Sequence, residues 1–305
     1  MPLIVTGTVS IDTVHAPTGS AESVLGGSCT YFAAAASFFT QVRVVAVVGE
    51  DFREDYQATF KRFPNVDVDG LEFRRGGKTF SWGARYMEDM NQRETLFTNL
   101  GVVGDKPPTP PDKYRDSRFV FLANSHPSIQ RQMLESFPQR VIAVADTMDL
   151  WIENTRPELE SLLREVDGLV LNDGEARLLT GKRNAITAGR RILDMGPAFV
   201  IVKKGEHGSV LVHQEGVAVL PAYPHEKVVD PTGAGDSFAG GMMGHLAAAH
   251  SRDINIGMGA IQQAMAHGTV IASFTLESFS LDRLATLKKE EIARRYTEFQ
   301  AMAKV

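Results

Sequence analysis

Short, continuous apolar runs rich in β-branched residues recur along the chain: Leu3 to Val5, Val42 to Val48, Phe119 to Leu122, Val141 to Ala145, Gly168 to Leu171 and Phe199 to Val202. Runs of that length without polar alternation read as strands buried on both faces. Between several of them, Ser28 to Thr40, Ile129 to Phe137, Glu158 to Val166 and Thr187 to Met195 place apolar residues at helical spacing. Buried strands alternating with helices predict a doubly wound α/β fold, its mostly parallel sheet covered on both sides. One stretch breaks the rhythm. From Val66 to Leu100 there is strand-like alternation and no good helix, with turn residues at Gly76-Gly77 and from Asp89 to Gln92. It predicts a small antiparallel appendage with Arg74, Arg75 and Lys78 at a solvated hairpin tip. The segment KPPTPP, 106–111, reads as a stiff connector to the next strand. After Asp236 the pattern is helical apart from a loop near Ser273 to Ser280, and it closes in an amphipathic surface helix from Ala285 to Ala303.

A length of 305 residues suits one α/β domain with an appendage. Hydrophobic residues at 43% and charged residues at 23% are those of a soluble globular protein. The net charge of −5 argues against a nucleic-acid footprint and against a polybasic membrane anchor, which leaves small-molecule chemistry. Apolar runs such as YFAAAASFF fall far short of the ~18 residues of a membrane span, and MPLIVTG has no basic leader pattern, so the expected setting is cytoplasmic. Cys29 is the sole cysteine, which excludes an intramolecular disulfide and a thiolate zinc cluster.

The chemistry concentrates in VVDPTGAGDSFAGGMMGHL. Val228-Val229 are expected to end a strand, Pro231 and Gly233 to turn, and the run after Gly235 to form a helix. Gly233, Ala234 and Gly235 carry no bulky side chains, so their N–H groups can converge where the helix dipole and unpaired donors attract an anion. No Lys-Ser/Thr pair follows the last glycine, which sets this loop apart from a P-loop. Asp236 falls in the first helical turn, where the dipole favours its ionised form. It is either a capping acid or a base that takes the proton from a hydroxyl attacking the phosphorus held by those amides. The pairing of carboxylate and cradle favours the base.

DPTGAGDSFAGG resembles the C-terminal signature of the ribokinase-like (PfkB) carbohydrate and nucleoside kinases, and further motifs follow in that family's order over essentially the whole chain. The resemblance implies a three-layer α/β/α fold with a β-lid, here one domain over 1–305 with a lid formed mainly by 66–100 and part of 10–20. It implies ATP-dependent transfer of the γ-phosphoryl group to a hydroxymethyl of a small sugar. The alternatives are a nucleoside kinase and, in another class, a non-catalytic nucleotide or sugar sensor. In that family the positions of Gly233, Ala234 and Gly235 form the anion hole and that of Asp236 is the base. GTVSID resembles the family's Gly-x-x-x-x-Asp segment, whose acid, here Asp12, binds substrate hydroxyls, and Gly26 and Gly27 would admit the acceptor close to the backbone. Tyr31 stands where the family commonly has Asn: either it faces a flat or apolar part of the substrate, or it packs a helix. In VVGEDF, Gly49 would serve a turn and Asp51 a helix cap.

Asn172 and Glu175 match the family's Asn-x-x-Glu motif, which implies Mg²⁺–ATP organised through retained water, although the same spacing fits a helix cap. Lys203 replaces the usual Thr of a nucleotide segment that includes Gly205 and Gly208: either it stabilises phosphates or it is a solvated strand-end lysine. His267 sits where ribokinases often carry Asn near the adenine, on a stretch whose Ala264, Gly268 and Ala272 either shelve the base or pack helices. Asp230 and Thr232 resemble the monovalent-cation (K⁺) site of some members. The resemblance also makes a homodimer through the lid an option, with a monomer as the other.

Overall fold

The computed structural model describes residues 2–250 and 256–304. The chain opens with β1 (Leu3–Thr6), β2 (Ser10–Ala16), β3 (Gly19–Gly26), α1 (Ser28–Ala36), β4 (Val42–Val48), α2 (Glu54–Phe60) and β5 (Val66–Phe73). There follow β6 (Phe80–Tyr86), β7 (Arg93–Asn99), β8 (Phe119–Leu122), α3 (Pro127–Glu135), β9 (Ile142–Asp146), α4 (Asp149–Asn154) and α5 (Arg156–Leu163). The remainder comprises β10 (Gly168–Asn172), α6 (Asp173–Thr180), α7 (Ala185–Leu193), β11 (Phe199–Lys203), β12 (Ser209–His213), β13 (Gly216–Leu220), α8 (Ala234–Ala249), α9 (Met258–Thr275) and α10 (Lys289–Ala303).

Nine strands form the large sheet in the order β13-β12-β11-β10-β9-β8-β1-β4-β5, parallel from β11 to β5 and antiparallel through β12 and β13. Its strands feed two cores. Leu3, Val5, Phe119 and Phe121 pack with α1, α8 and α9, whereas Ile4, Val120 and Leu122 pack with α3, α5 and α7. Period-two alternation between two apolar layers is why these strands read as unbroken hydrophobic runs. No helix among the described residues is long and apolar enough to cross a membrane.

A second sheet, ordered β3-β2-β6-β7, covers the C-terminal edge of the first as a lid. Its composition corrects the expectation for Val66 to Leu100. β5 is not part of it: Val66 to Phe73 pairs in parallel with β4, from Val42↔Val66 to Val48↔Phe73. Alternation in VDVDGLEF is that of a half-exposed edge strand, a pattern that periodicity alone cannot separate from a hairpin. The lid instead recruits all of β2 and β3, beyond the expected part of 10–20.

Arg74 is likewise not at a solvated tip. Its guanidinium donates to the carbonyls of Val102, Lys106 and Pro107 and pairs with Glu72. A proline-rich connector has carbonyls with few N–H partners, and Arg74 supplies donors to them. Val228-Val229 form no strand; the Val229 N–H is instead bonded to the Leu276 carbonyl after α9 at 2.8 Å. Asp51 caps no helix: its Oδ1 accepts from the Thr79 N–H and hydroxyl, both at 2.7 Å, tying the loop after β4 to the start of the lid.

Candidate active site

Between the lid and the C-terminal ends of the parallel strands lies a cleft of about 1660 Å³. Gly233, Ala234 and Gly235, the expected anion cradle, are among the residues that line it. Gly233 is the N-cap of α8 in the left-handed conformation, φ 74°, and a Cβ there would enter the ring of Tyr31. Both constraints require glycine. Tyr31 is thereby placed: it is buried in α1, its ring packs beneath Gly233, and it reaches the cleft wall there. Ser237 N–H closes the first turn on the Gly233 carbonyl at 2.8 Å and Ala234 N–H bends to Pro231 at 3.2 Å. The N–H groups of Gly235 and Asp236 are left without helical partners, as at any helix start.

Asp236 stands in that first turn, half-buried and lining the cleft. Withdrawal from water, then the charge of Asp146, raise its carboxyl to about 7, against the opposite pull of Lys203 and Arg93. The local dipole argument predicted ready ionisation; desolvation and a neighbouring acid outweigh it. Lys203 is not a solvated strand end. Its Nζ lies against Gly235, 2.8 Å from where a Cβ would be. Burial opposes its charge, but Asp146, Glu175 and Asp236 prevail and hold it above the ordinary lysine value.

Asn172 and Glu175 form a capping box on α6: Asn172 Oδ1 accepts the Glu175 N–H at 2.8 Å, and Glu175 Oε2 accepts the Asn172 N–H at 2.7 Å. The capping role is therefore observed, and it leaves one Glu175 oxygen uncommitted within the cleft. Burial, then Asp146, raise Glu175 to about 7, with Lys203 opposing. Asp146 was missed in the sequence. It ends β9, is buried, and is raised by desolvation against the pull of Lys203. Its signal was available: an acid directly terminating an apolar parallel strand points into the crevice at the sheet's carboxyl edge. Arg93 was missed too. It comes from β7 of the lid, lines the cleft, lies 5.5 Å from the Trp82 ring, and acts electrostatically on Asp236 and Glu175.

On the acceptor side, Asp12 is buried on β2. Desolvation, with Asp230 and Asp236 nearby, raises it to about 7 against hydrogen bonds from Ser10 and Gly27, and its Oδ1 has no partner. A Cβ on Gly26 would collide with its carboxyl. Gly27, at φ 99°, lies against the Thr8 backbone. Asp230 Oδ1 accepts the Thr232 N–H at 2.8 Å, and the Thr232 hydroxyl bonds the lid's Tyr86 hydroxyl at 3.2 Å. These two side chains close the loop and hold the lid.

The segment expected to hold nucleotide turns at Gly205, φ 56°, and Gly208, φ 81°. Asn91, between β6 and β7, donates to Glu206 of that segment at 3.1 Å. His267 is a correction: it does not line the cleft. It is stacked between His245 and Tyr296, with ring centroids at 3.9 and 4.0 Å, where burial and His245 push it down to about 3. Gly268 packs against Phe238, so the small residues of α9 serve helix contact there, and only Ala272 of the three faces the cleft. Tyr223 and His225, also missed, line that end of it.

Residues 5–285 match the model of the pfkB family of carbohydrate kinases, and the chain belongs to that family. It is an enzyme of phosphoryl transfer. The cytidine kinase of Thermococcus kodakarensis is 29% identical over 250 residues, 80% of this chain and 87% of that one. The nucleoside kinase of Methanocaldococcus jannaschii superimposes with a TM-score of 0.76 at 18% identity, covering 97% of this chain and 98% of the other. A ribokinase II of E. coli in complex with ATP and Mg²⁺ gives 0.74 at 18%, covering 97% and 99%. At such identity the structures show the ribokinase fold alone.

Proposed function

We propose that the chain transfers the γ-phosphoryl group of ATP to a hydroxymethyl group of a sugar or nucleoside, with Asp236 as general base. One observation carries the reading: a carboxyl held near 7 sits in the same helical turn as the Gly235 amide, which has no helical partner, and beside the Lys203 ammonium. A base is most effective when its pKa lies near the working pH. Asp236 takes the hydroxyl proton as the oxygen attacks phosphorus, the bond from the γ-phosphorus to the bridging oxygen breaks, and ADP leaves. The amides and Lys203 stabilise the charge on the transferring group. Asp12 orients the acceptor through its unpartnered oxygen.

The residues fit Mg²⁺–ATP: Gly233, Ala234 and Gly235 line the cleft with Lys203 Nζ against Gly235, and Glu175 and Asp146 provide carboxylates there. No three His, Cys, Asp or Glu side chains among the described residues converge as a metal-ligand set. Glu175 and Asp146 would therefore hold the ion through water, which suits Mg²⁺; when bound, it neutralises phosphate charge. Asp230 and Thr232 serve loop and lid through the Asp230–Thr232 and Thr232–Tyr86 bonds, and turnover with and without K⁺ tests whether they also hold that ion. The bonds Thr232 to Tyr86 and Asn91 to Glu206 tie the lid to both the anion loop and the nucleotide loop, from where it would shield the reacting groups from water. A cytoplasmic setting follows from the supply of ATP. A lid-to-lid homodimer is supported by exposed Leu96 and Phe97, 36% and 38% accessible, and light scattering tests it.

The deciding experiment measures ADP release from Mg²⁺–ATP against pentoses, hexoses and ribonucleosides. Turnover with one class is expected. No acceptor-dependent ADP with any of them would refute the reading.

A further inference from the structure

Phe80, Trp82, His126 and Trp151 line one end of the cleft and take no part in the phosphoryl chemistry above. Topology places them on the acceptor side. In the lid, β2 and β6 run parallel with Ser10 opposite Phe80 and Asp12 opposite Trp82. Register partners share a face of the sheet, so both rings stand beside the acid that faces the acceptor. On the opposite wall, the Asn124 carbonyl after β8 lies 3.5 Å from Ser28 Oγ, next to Gly27. α4 delivers Trp151, whose indole N–H donates to Asn124 Oδ1 at 2.8 Å. The nucleotide segments follow β10 and β11, two and three strands away from β8.

The hydrogen-bonding character of His126 is set by its own helix. As the N-cap of α3, its Nδ1 accepts the Ser128 N–H at 3.2 Å and lies 2.7 Å from the Ser128 hydroxyl, which can donate to the same nitrogen. In the neutral ring the proton then resides on Nε2, which makes that edge a donor. The ring packs edge-on to Trp151, with centroids 5.2 Å apart at 64°. A half-buried N–H donor therefore stands beside a half-buried indole whose rotamer is tied down by Asn124. This combination matches a flat heterocycle carrying a carbonyl or ring-nitrogen acceptor on its edge. A free pentose can pack its C–H face on an indole but carries no flat heterocycle with an acceptor edge for the His126 donor.

We infer that this end of the cleft is a nucleobase subsite, with Trp151 as the stacking wall and the His126 Nε2–H as the edge donor. The acceptor is thus a nucleoside rather than a free sugar. The assignment rests on the kinase reading only for the neighbouring hydroxymethyl, and binding can test it without turnover. Isothermal titration of the full chain with cytidine, uridine, adenosine and inosine, and with ribose, is performed with and without ADP. At least one nucleoside should bind about 10- to 100-fold more tightly than ribose, the scale of one base stacked on an aromatic ring. Trp151→Leu should abolish that preference. His126→Asn, which keeps a good N-cap for α3, should weaken nucleoside binding by about 2- to 10-fold through loss of the donor. Melting curves and circular dichroism establish that both variants are folded. Ribose binding as tightly as every nucleoside overturns the inference, as does a folded Trp151→Leu protein with wild-type selectivity. A nucleoside that binds but is never phosphorylated by Mg²⁺–ATP overturns the kinase reading and leaves the base subsite standing.

Discussion

Replacing Asp236 with Asn separates what this carboxylate does for catalysis from what it does to the fold. Desolvation, then Asp146, raise its pKa from 3.8 to about 7. Below about pH 4 the group is protonated in both folded and unfolded chains and has no effect on stability. Between about 4 and 7 the unfolded chain ionises while the folded one resists, so stability is lost across that window and the full penalty persists above it. The interval from 3.8 to about 7 is equivalent to roughly 4 kcal/mol. Asp146 and Lys203 share the same charge cluster, so single-site removal should return about 1–3 kcal/mol of it. The Asp236→Asn protein is therefore expected to melt on the order of 2–5 °C above wild type at pH 8, the gain shrinking to nothing near pH 4. Its kcat should fall by roughly 10²–10⁴. In wild type, kcat/KM should decline on the acid side of about pH 7 as Asp236 takes up its proton. Differential scanning fluorimetry from pH 4 to 8 on the ligand-free protein, with coupled ADP release, measures both halves. A variant that melts below wild type at pH 8, or gains equally at every pH, would refute the electrostatic argument; undiminished turnover would refute the base.

Three further outcomes test other parts of the site. Gly233→Ala forces a side chain into the left-handed region and into the Tyr31 ring; a loss of roughly 1–3 kcal/mol and at least a tenfold rise in KM for ATP are expected, and a wild-type melting curve would show that the turn relaxes freely. Lys203→Met removes the ammonium beside Gly235 and should lower kcat by about 10²-fold, with Lys203→Arg recovering only part of it; equal loss in both would point to packing rather than charge. His267→Phe keeps the stack with Tyr296 and should leave KM for ATP within about twofold, since the ring lies outside the cleft. A tenfold rise would return that position to the nucleotide site.

The parallel strands were legible because a strand buried on both faces writes itself as an unbroken apolar run: Val42 to Val48 and Phe119 to Leu122 begin and end where expected. β5 was misplaced because an edge strand of the large sheet alternates just as a hairpin strand does. The Gly233–Gly235 loop and Asp236 were legible as neighbours at one helix mouth because they are adjacent in sequence. Lys203, Asp146 and Arg93 were not, since each gains its meaning from elements brought together only by the sheet order and the lid. His267 failed for the converse reason. Helical spacing says that two residues share a face, but not whether that face meets a ligand or the neighbouring helices α8 and α10.

The same distinction explains the charge state of the site. Taken locally, Asp236 at a helix N-terminus and Glu175 in a capping box should both ionise readily. Folding gathers them with Asp146, Asp12 and Asp230 near Lys203 and Arg93, and desolvation and mutual repulsion raise Asp12, Glu175 and Asp236 to about 7. No run of residues encodes that excess of acid, because its members lie on β2, β9, α6, α8 and the loop before α8. Such a cluster is costly to fold and persists where its proton affinity is used, a trade of stability against activity. In the proposed mechanism Asp236 is where use and cost coincide: the repulsion that destabilises its charged form would also give it the proton affinity to deprotonate a hydroxyl at neutral pH.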